Sequence, residues 1–278
     1  HSYLNAKLHL FKNLLNEKKV IISDKSLKEF KILKNIAQKK NLRLIDITQI
    51  KKKIKLISGI KLSKFQLNNL SMAIAAARLC NVKEKKIFYN LNKLSAVDGR
   101  LEHVKTFFYN IKIFVDFAHT PDALQNVLSA LKSSYGENIT LVFGCGGDRD
   151  FKKRPKMAKI ANRHCKKIYV TDDNPRNERP EKIRGEIVKH IKKSNCFNIG
   201  NRTKAIKSAI LNAEPNEVII IAGKGHESEQ IYKNKTYLIS DKEIVRKLKI
   251  KKKRITIDKI NFEQNEKIIQ DIVKKNNL

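Results

Sequence analysis

The feature that most constrains the fold is a regular alternation of apolar runs and amphipathic segments that begins at Ile111. Short runs rich in isoleucine, valine and phenylalanine predict strands, and longer segments with apolar residues at helical spacing predict helices. Strands are predicted at 111–117, 139–144, 167–171 and 217–222. Helices are predicted at 122–134, 154–164, 180–193 and 202–213, with a last one near 241–249. Strands that alternate with helices indicate an α/β fold with a Rossmann-like, mostly parallel sheet.

The first hundred residues predict a second group of elements. Helices are predicted at 3–16, 25–40, 65–80 and about 84–93, and strands at 18–23, 42–47 and 54–57. The first helix would place its apolar side chains on one broad face, namely Leu4, Leu8, Leu10, Phe11, Leu14 and Leu15. A boundary is expected near Gly99–Glu102, so we divide the chain into residues 1–104, residues 105–250 and a lysine-rich tail, 251–278.

The formal net charge of +33 raises the question of nucleic-acid binding. The lysines are spread along the whole chain together with many asparagines and isoleucines, which is typical of a biased genome composition. They are not interleaved with aromatic residues, so we expect no specific nucleic-acid partner. No apolar run is long enough to predict a membrane partner, and four scattered cysteines without metal spacing indicate a reducing, cytoplasmic location.

Polar residues follow the predicted strand 167–171 as Asp172, Asp173, Asn174, Pro175 and Arg176. Ligands of open α/β sheets bind where the carboxyl ends of strands give way to loops. A guanidinium pairs well with a carboxylate, an amide both donates and accepts, and proline fixes the backbone between them. These groups suit a small zwitterion, although the same residue types are also typical of an ordinary polar turn.

Two further strands run into loops that carry glycine and charge. The strand at 139–144 leads into Gly144–Asp150, with Arg149 near its end, and the strand at 217–222 leads into Gly223–Glu227. Glycine lets backbone N–H groups approach an anion, and Glu227 could pair with an ammonium. Each loop alone is a weak signal, but three of them at the ends of parallel strands favour one amino-acid pocket.

With these motifs in this order, the chain resembles the Mur ligases from about Tyr3 to about Leu248. The resemblance implies the later half of a central ATPase domain followed by a Rossmann-like C-terminal domain. The run Asp173–Arg176 resembles the signature of the members that add diaminopimelate. The implied function is ATP-dependent amide formation in peptidoglycan synthesis, with meso-diaminopimelate added to UDP-N-acetylmuramoyl-L-alanyl-D-glutamate through an acyl phosphate. The implied protein is a cytoplasmic monomer that uses ATP and Mg²⁺.

The resemblance also implies residues for the nucleotide and the metal ion. Lys7 matches a lysine that is carbamylated and then offers oxygen to Mg²⁺, and with His119 it forms the expected catalytic pair. ATP is expected to contact Asn69, Arg100, Asp116 and His119. Most of these residues also have a structural alternative. Lys7 could be an ordinary helix lysine, and Asn69 could belong to a polar helix start. Arg100 could form an interdomain ion pair, and Asp116 could cap a helix.

For meso-diaminopimelate, the resemblance implies a set drawn from all three loops: Arg149, Asp173, Asn174, Pro175, Arg176, Gly223 and Glu227. Arg176 is expected to bind the distal carboxylate with help from Arg149, and Glu227 with the Gly223 carbonyl to hold an ammonium. Lys224 and His226 are expected to shape their loop or face the phosphates, and Cys145 to be a small loop residue.

Three other interpretations stay open at this point. One is a different amide ligase of the same superfamily, such as a folylpolyglutamate synthase-like enzyme, which the D-N-P-R run disfavours. Another is a basic nucleic-acid-binding protein. The third is an inactive fragment, because the chain starts at His1 and has no G-x-x-x-x-G-K-[ST] phosphate loop. We therefore expect the carboxyl-terminal part of a longer enzyme, with little ligation by this chain alone.

Overall fold

A six-stranded sheet organises the second half of the chain. The computed structural model describes residues 3–16, 19–57, 62, 64–94, 97–192 and 194–250. The strands of the sheet are β3 (Glu102–Phe107), β4 (Ile111–Asp116), β5 (Ile139–Phe143), β6 (Lys167–Val170), β7 (Cys196–Asn198) and β8 (Val218–Ala222). Their spatial order is β3-β4-β8-β5-β6-β7, with β3 antiparallel to β4 and all other pairs parallel.

Helices cover both faces of this sheet, and they are α6 (Pro121–Tyr135), α7 (Lys153–His164), α8 (Pro180–Val188), α9 (Arg202–Leu211) and α10 (Asp241–Lys247). One apolar cluster joins the sheet to α6, α7 and α8, and a second joins it to α9 and α10. Every residue of β5 and β8 is buried, as expected for central strands covered on both faces.

Side-chain caps start three of these helices close to the strand ends. The Thr120 hydroxyl accepts from Ala123 N at the start of α6, where Pro121 also suits the first turn. Asn201 caps α9 in the same way, and Ser240 caps α10. Each cap satisfies a backbone N–H that the helix itself leaves without a partner.

The first part of the chain forms a smaller α/β group. It contains α1 (Tyr3–His9), β1 (Val20–Ser23), α2 (Phe30–Lys39), β2 (Arg43–Asp46), α3 (Thr48–Ile57), α4 (Lys64–Leu79) and α5 (Glu84–Tyr89). The two strands are parallel. A π-helical turn at Leu10–Leu14 follows α1, and short 3₁₀ turns lie at Leu91–Lys93 and Phe108–Asn110.

The two ends of the sheet domain are tied to each other. Lys105 on β3 donates to the carbonyl oxygens of Arg246 and Leu248 at 3.2 and 3.1 Å, at the end of α10. At the other end of α10, Lys242 contacts Glu102 at 3.3 Å and also pairs with Asp98. The segment entering the sheet is therefore held by the helix that closes it.

The predicted α/β fold with a mostly parallel sheet is confirmed, and all four predicted strands after Ile111 are present. The strand predicted at 54–57 is wrong, because these residues end α3. Ile50 and Ile54 of this helix face the core at helical spacing, together with Ile47, which directly precedes it. The helix predicted at 3–16 is present from Tyr3 to Leu14, although it changes from α-helical to π-helical at Leu10.

Several bounds and surfaces differ from the sequence predictions. Leu4, Leu10 and Leu14 are exposed, so the broad apolar face is narrower than expected. The second helix starts at Phe30, and the helix predicted over 84–93 is split into α5 and a 3₁₀ turn. The tail at 251–278 lies outside the described residues. The division at 104/105 stays a prediction, with β3 spanning it, and no described helix is both long and apolar enough to cross a bilayer.

Candidate functional site

Four parallel strands deliver polar loops to one edge of the sheet. Asp116 ends β4, Gly144 follows β5, Thr171 follows β6 and Gly223 follows β8. Because these strands are parallel neighbours in the order β4-β8-β5-β6, their carboxyl ends meet at the same edge. The three loops singled out from the sequence are thus brought together by the sheet itself.

A hairpin formed by β9 (Glu229–Tyr232) and β10 (Lys235–Leu238) holds the D-N-P-R loop, which we define as Asp173–Arg176. Arg176 N donates to Ile231 O at 3.1 Å, and Lys233 N donates to Arg176 O at 2.7 Å. These bonds fix Arg176 in the left-handed region, at φ 51°, a conformation uncommon for a residue with a side chain. The direction of its side chain is therefore set by the hairpin.

The Arg176 guanidinium lies against the glycine loop, which we define as Gly144–Asp150. Its Nη1 donates to Gly147 O at 3.0 Å and to Asn174 O at 3.3 Å. A Cβ placed on Gly146 would lie 2.9 Å from that Nη1 and 3.9 Å from Arg149 Cγ, so both arginines flank Gly146. Among the described residues, no carboxylate pairs with either arginine, and the pair forms the cationic side of the site.

Asn174 and Glu227 contribute an amide and a carboxylate to the site. Asn174 Nδ2 lies 3.4 Å from Glu227 Oε2, and its Oδ1 accepts from Ile231 N at 3.0 Å and from Lys224 Nζ at 3.2 Å. Lys224 is fully buried and lies 3.5 Å from Glu227. The lysine therefore shapes this turn, as expected from the sequence, and fixes which end of the Asn174 amide points to Glu227.

Close backbone approaches explain the glycines of these loops. A Cβ on Gly144 would lie 2.2 Å from Thr171 O, and one on Gly147 would lie 1.9 Å from Pro175 O. Gly223 has φ 115°, and a Cβ there would lie 2.7 Å from Asp173 Oδ2. Asp173 also accepts from Asn174 N at 2.7 Å, so its side chain supports the loop from within.

Two ion-pair networks support the loops, and sequence reasoning missed both. Asp172 pairs with Arg184 and accepts from the Tyr232 hydroxyl at 2.8 Å. Burial, together with the hydrogen bond to the Asp172 carboxylate, raises the pKa of the Tyr232 phenol. Buried Arg154 pairs with Glu178 and with Glu186, both at 2.8 Å. Glu178 also accepts from Asp148 N at 2.7 Å, so this network reaches the glycine loop. The partners are far apart in sequence, and no local pattern marks them.

The residues expected to face the nucleotide gather around Phe117. The Arg100 guanidinium lies 4.6 Å from the centre of the Phe117 ring, and the His119 ring meets it edge-on at 4.7 Å. His226, which the sequence did not place among the nucleotide-binding residues, stacks on the same ring, with 5.5 Å between the ring centres. Asp116 is buried and accepts from Leu101 N and Ala118 N at 2.6 and 2.7 Å.

Burial raises the pKa of the Asp116 carboxyl, although the two backbone donors act against this shift. Burial also raises the pKa of the Cys145 thiol to about 12, so Cys145 is a poor nucleophile, as the sequence suggested. The remaining predicted residues, Lys7 and Asn69, are exposed on α1 and α4.

Comparison with known proteins decides the family. Residues 99–225 match the family model described as "Mur ligase, glutamate ligase domain". A UDP-N-acetylmuramoyl-L-alanyl-D-glutamate–2,6-diaminopimelate ligase from Rickettsia montanensis is 35% identical over 269 residues, which cover 88% of this chain. The chain belongs to the Mur ligase family. A ligase of the same name from Buchnera aphidicola subsp. Schizaphis graminum is 40% identical over 198 residues.

Solved structures agree with this Mur ligase assignment. A structure of UDP-N-acetylmuramoyl-L-alanyl-D-glutamate–2,6-diaminopimelate ligase has a TM-score of 0.53 and 28% identity, and covers 88% of this chain. A bifunctional folylpolyglutamate synthase/dihydrofolate synthase from Yersinia pestis, complexed with AMPPNP and a Mn ion, has a TM-score of 0.58 at 15% identity over 77% of the chain. The latter similarity shows the fold alone.

This Mur ligase chain spans about half the length of the relatives it matches. It covers 55% of the Rickettsia montanensis protein and 40% of the Buchnera protein. It also covers 55% of the solved diaminopimelate ligase. The family model at 99–225 includes the ends of β4, β5, β6 and β8 and most of the loops that follow them.

Proposed function

We propose that this chain supplies the amino-acid site of an ATP-dependent ligase that adds meso-diaminopimelate to UDP-N-acetylmuramoyl-L-alanyl-D-glutamate. One observation carries the proposal: Arg176 and Arg149 flank Gly146, while Asn174, two residues before Arg176, lies with its amide 3.4 Å from the Glu227 carboxylate. Diaminopimelate carries carboxylate and ammonium groups at both ends, so it needs both kinds of partner. Support also comes from the names of the relatives at 35–40% identity.

Arg176 is the residue that distinguishes diaminopimelate from lysine in this proposal. The two amino acids differ by one distal carboxylate, and a guanidinium holds a carboxylate through two parallel hydrogen bonds. Both hydrogen bonds of the Arg176 side chain use Nη1 and go to neutral carbonyl oxygens. No described carboxylate therefore neutralises the charge of Arg176, and the carboxylate of a ligand would do so.

Glu227 and the Gly223 carbonyl hold an ammonium group of the amino acid, and Asn174 orients the neighbouring polar groups. Asp173 and Pro175 act through the backbone, because they fix the loop that carries Asn174 and Arg176. With one amino group held as an ammonium, the other amino group, in its unprotonated form, can attack the carbonyl carbon of the acyl phosphate of the second substrate, so that a C–N bond forms and inorganic phosphate leaves. Positioning of this kind supplies a large part of the rate in such a reaction.

The nucleotide lies, in this proposal, beside Arg100, Asp116 and His119. Asp116 and His119 stand on either side of Phe117 in the chain, and the Arg100 guanidinium lies 4.6 Å from the centre of the Phe117 ring, so a carboxylate, an imidazole and a cation lie around one segment. Arg100 and His119 would donate to phosphate oxygens, and Asp116 would accept from ribose hydroxyls. Asn69 would reach the adenine from α4. Cytoplasmic location and the monomeric state stay predictions.

The residues present do not by themselves form a metal centre. Within the described ranges, no three His, Cys, Asp or Glu side chains lie together in a way that could hold an ion. Mg²⁺ prefers oxygen ligands, which a carbamate on Lys7 and the phosphates of a nucleotide could offer. The proposed Mg²⁺ ion and the carbamate on Lys7 therefore rest on the resemblance to the Mur ligases alone.

Isothermal titration of the chain with meso-diaminopimelate and with L-lysine tests the proposal. We expect diaminopimelate to bind more tightly than lysine. Arg176→Ala should weaken diaminopimelate binding about 10- to 100-fold, because it removes a charged hydrogen-bonding partner. The same change should leave lysine binding nearly unaltered, since lysine has no distal carboxylate for Arg176 to bind.

Arg163→Ala is the matched control, because it removes the same charge from an exposed position in the last turn of α7. It should leave both titrations unchanged. Equal or tighter binding of lysine by the unaltered chain would refute the specificity. If neither amino acid binds at millimolar concentration, this chain has no formed amino-acid site and the proposal fails.

A further inference from the structure

Arg202 and Asp241 form a fully buried ion pair beneath the candidate site. Arg202 is the first residue of α9 and Asp241 is the first residue of α10. Arg202 Nε donates to Asp241 Oδ1 and Nη2 donates to Asp241 Oδ2, both at 2.7 Å. Neither side chain is exposed to solvent. The pair is bidentate, which is the geometry a guanidinium and a carboxylate prefer.

The same guanidinium also reaches two strand ends. Nη2 donates to Ala222 O at 3.1 Å, and Nη1 donates to Asp172 O at 3.4 Å. Ala222 ends β8, and Asp172 lies two residues beyond the end of β6. These two strands are not neighbours, because β5 lies between them in the sheet. The Arg202 side chain therefore connects the ends of two strands, β8 and β6, that are not hydrogen-bonded to each other.

The two carbonyl groups directly precede the two sides of the site. Asp172 is followed by the D-N-P-R loop, with Asn174 and Arg176, and Ala222 is followed by Gly223 and the turn that carries Glu227. We propose that Arg202, held by Asp241, is a positioning residue that fixes the spacing between the carboxylate-binding and ammonium-binding sides of the site. The identity of the ligand in this inference rests on the proposed function.

A purely structural role would not need this geometry. A buried ion pair contributes little net stability, because the loss of hydration offsets the attraction between the charges. Apolar residues of similar volume often replace such a pair without loss of stability. What they cannot replace is the donation to two carbonyl groups on separate strands. Lysine could not replace it either, because its single ammonium lacks the planar fork that serves several acceptors at once.

The chain contains its own control for this inference. Lys167 begins β6 and lies 3.0 Å from Glu217, the residue before β8, so this pair holds the amino ends of the same two strands. Glu217 is fully buried, and the Lys167 side chain, which is 12% exposed, also pairs with Glu214. The two pairs therefore resemble each other in having a fully buried carboxylate and in the strands they join. They differ in that only Arg202 and Asp241 lie at the site.

The experiment compares Arg202→Met/Asp241→Leu with Lys167→Met/Glu217→Gln in the full chain. The glutamine keeps an acceptor for Thr140, which donates to Glu217. Thermal unfolding reports the stability of each variant. Amide hydrogen exchange at 172–176 and 223–227 reports the order of the loops without any ligand, and titration with meso-diaminopimelate reports binding.

In the site pair, we expect exchange at both loops to rise and binding to weaken, each on the order of tenfold or more, because small misplacements of a binding group are costly. In the control pair, loop exchange and binding should match the unaltered chain even if unfolding shifts. Arg202→Lys keeps the charge but loses the fork, so it should show the same changes as Arg202→Met/Asp241→Leu. If that double variant does not unfold cooperatively, Arg202→Lys replaces it in the comparison with the control.

The inference would be overturned if the site variants kept the amide exchange rates of both loops and the diaminopimelate affinity of the unaltered chain. So would equal effects from the control pair, because these would indicate a general loss of sheet stability. If the unaltered chain does not bind diaminopimelate but loop exchange rises only in the site variants, the proposed function fails and the positioning role stands. The two hypotheses can therefore fail separately.

Discussion

Gly147→Ala gives a sharp test of how the glycine loop and the D-N-P-R loop fit together. The φ of Gly147 lies outside the left-handed region, so alanine meets no backbone strain there. The obstacle is space, because an added Cβ would lie 1.9 Å from Pro175 O and 2.8 Å from Pro175 C. Both are backbone atoms and cannot rotate away, so the two loops must separate by roughly 1 Å.

That separation affects two hydrogen bonds as well as packing. Gly147 N donates to Asn174 O at 2.9 Å, and Arg176 Nη1 donates to Gly147 O at 3.0 Å. Overpacking costs about 1–3 kcal/mol, and the two bonds contribute about 1 kcal/mol or more each. We expect a loss of about 3–5 kcal/mol in unfolding free energy, which lowers the midpoint of thermal unfolding by on the order of 10 °C.

Gly185→Ala is the matched control, because Gly185 lies in α8 and an added Cβ would meet nothing within 4 Å. Alanine in a helix is more favourable than glycine by about 0.5–1 kcal/mol, so this variant should be slightly more stable. Calorimetric unfolding and a diaminopimelate titration measure both variants. A Gly147→Ala chain with unaltered unfolding and binding would show that the close approach of the two loops does not matter.

Two further predictions concern charge and reactivity. Hydrogen bonds from Arg154 hold the pKa of the Glu178 carboxyl below its usual 4.5. The ion pair therefore stabilises the fold fully above pH 4.5. This contribution is lost as the pH falls through the pKa that Glu178 has in the folded state. Glu178→Gln should therefore cost about 1–3 kcal/mol at pH 7, and urea unfolding should show this difference shrinking in acid; a constant difference would contradict the ion-pair explanation. With a thiol reagent at pH 7, exposed Cys80 should react in the folded chain and Cys145, with its pKa near 12, only after unfolding, so rapid labelling of Cys145 would disprove its burial.

The meeting of the three loops could be predicted from the sequence for a simple reason. Parallel strands place their carboxyl ends at one edge, so a polar loop after each strand predicts a shared site without any knowledge of contacts. The hairpin β9–β10 could not be predicted, because it lacks the apolar alternation of a strand. Its fully buried residue is a polar one, Gln230, which donates to the carbonyl oxygens of Asp172 and Asp173.

Long-range ion pairs were the other feature beyond sequence reasoning. Arg202 and Asp241 are 39 positions apart, and each by itself looks like a surface charge at a helix start. Ile54 shows the opposite error, in which a short apolar run predicted a strand although its spacing from Ile47 and Ile50 is helical. The roles of Lys7 and Asn69 stay predictions, since the described structure places them on α1 and α4.

The contacts between β3 and α10 also determine how the sheet domain would respond to force. A pull applied to the two ends of this domain acts first on Lys242, with its partners Asp98 and Glu102, and on Lys105, with its carbonyl acceptors at the end of α10. These bonds lie between the pulling points and the central strands, so they would bear the load before β5, β6 or β8 does. Resistance to forced unfolding depends on the rate at which such contacts open, not on total stability. The loops that carry the site are thereby shielded from tension transmitted along the chain.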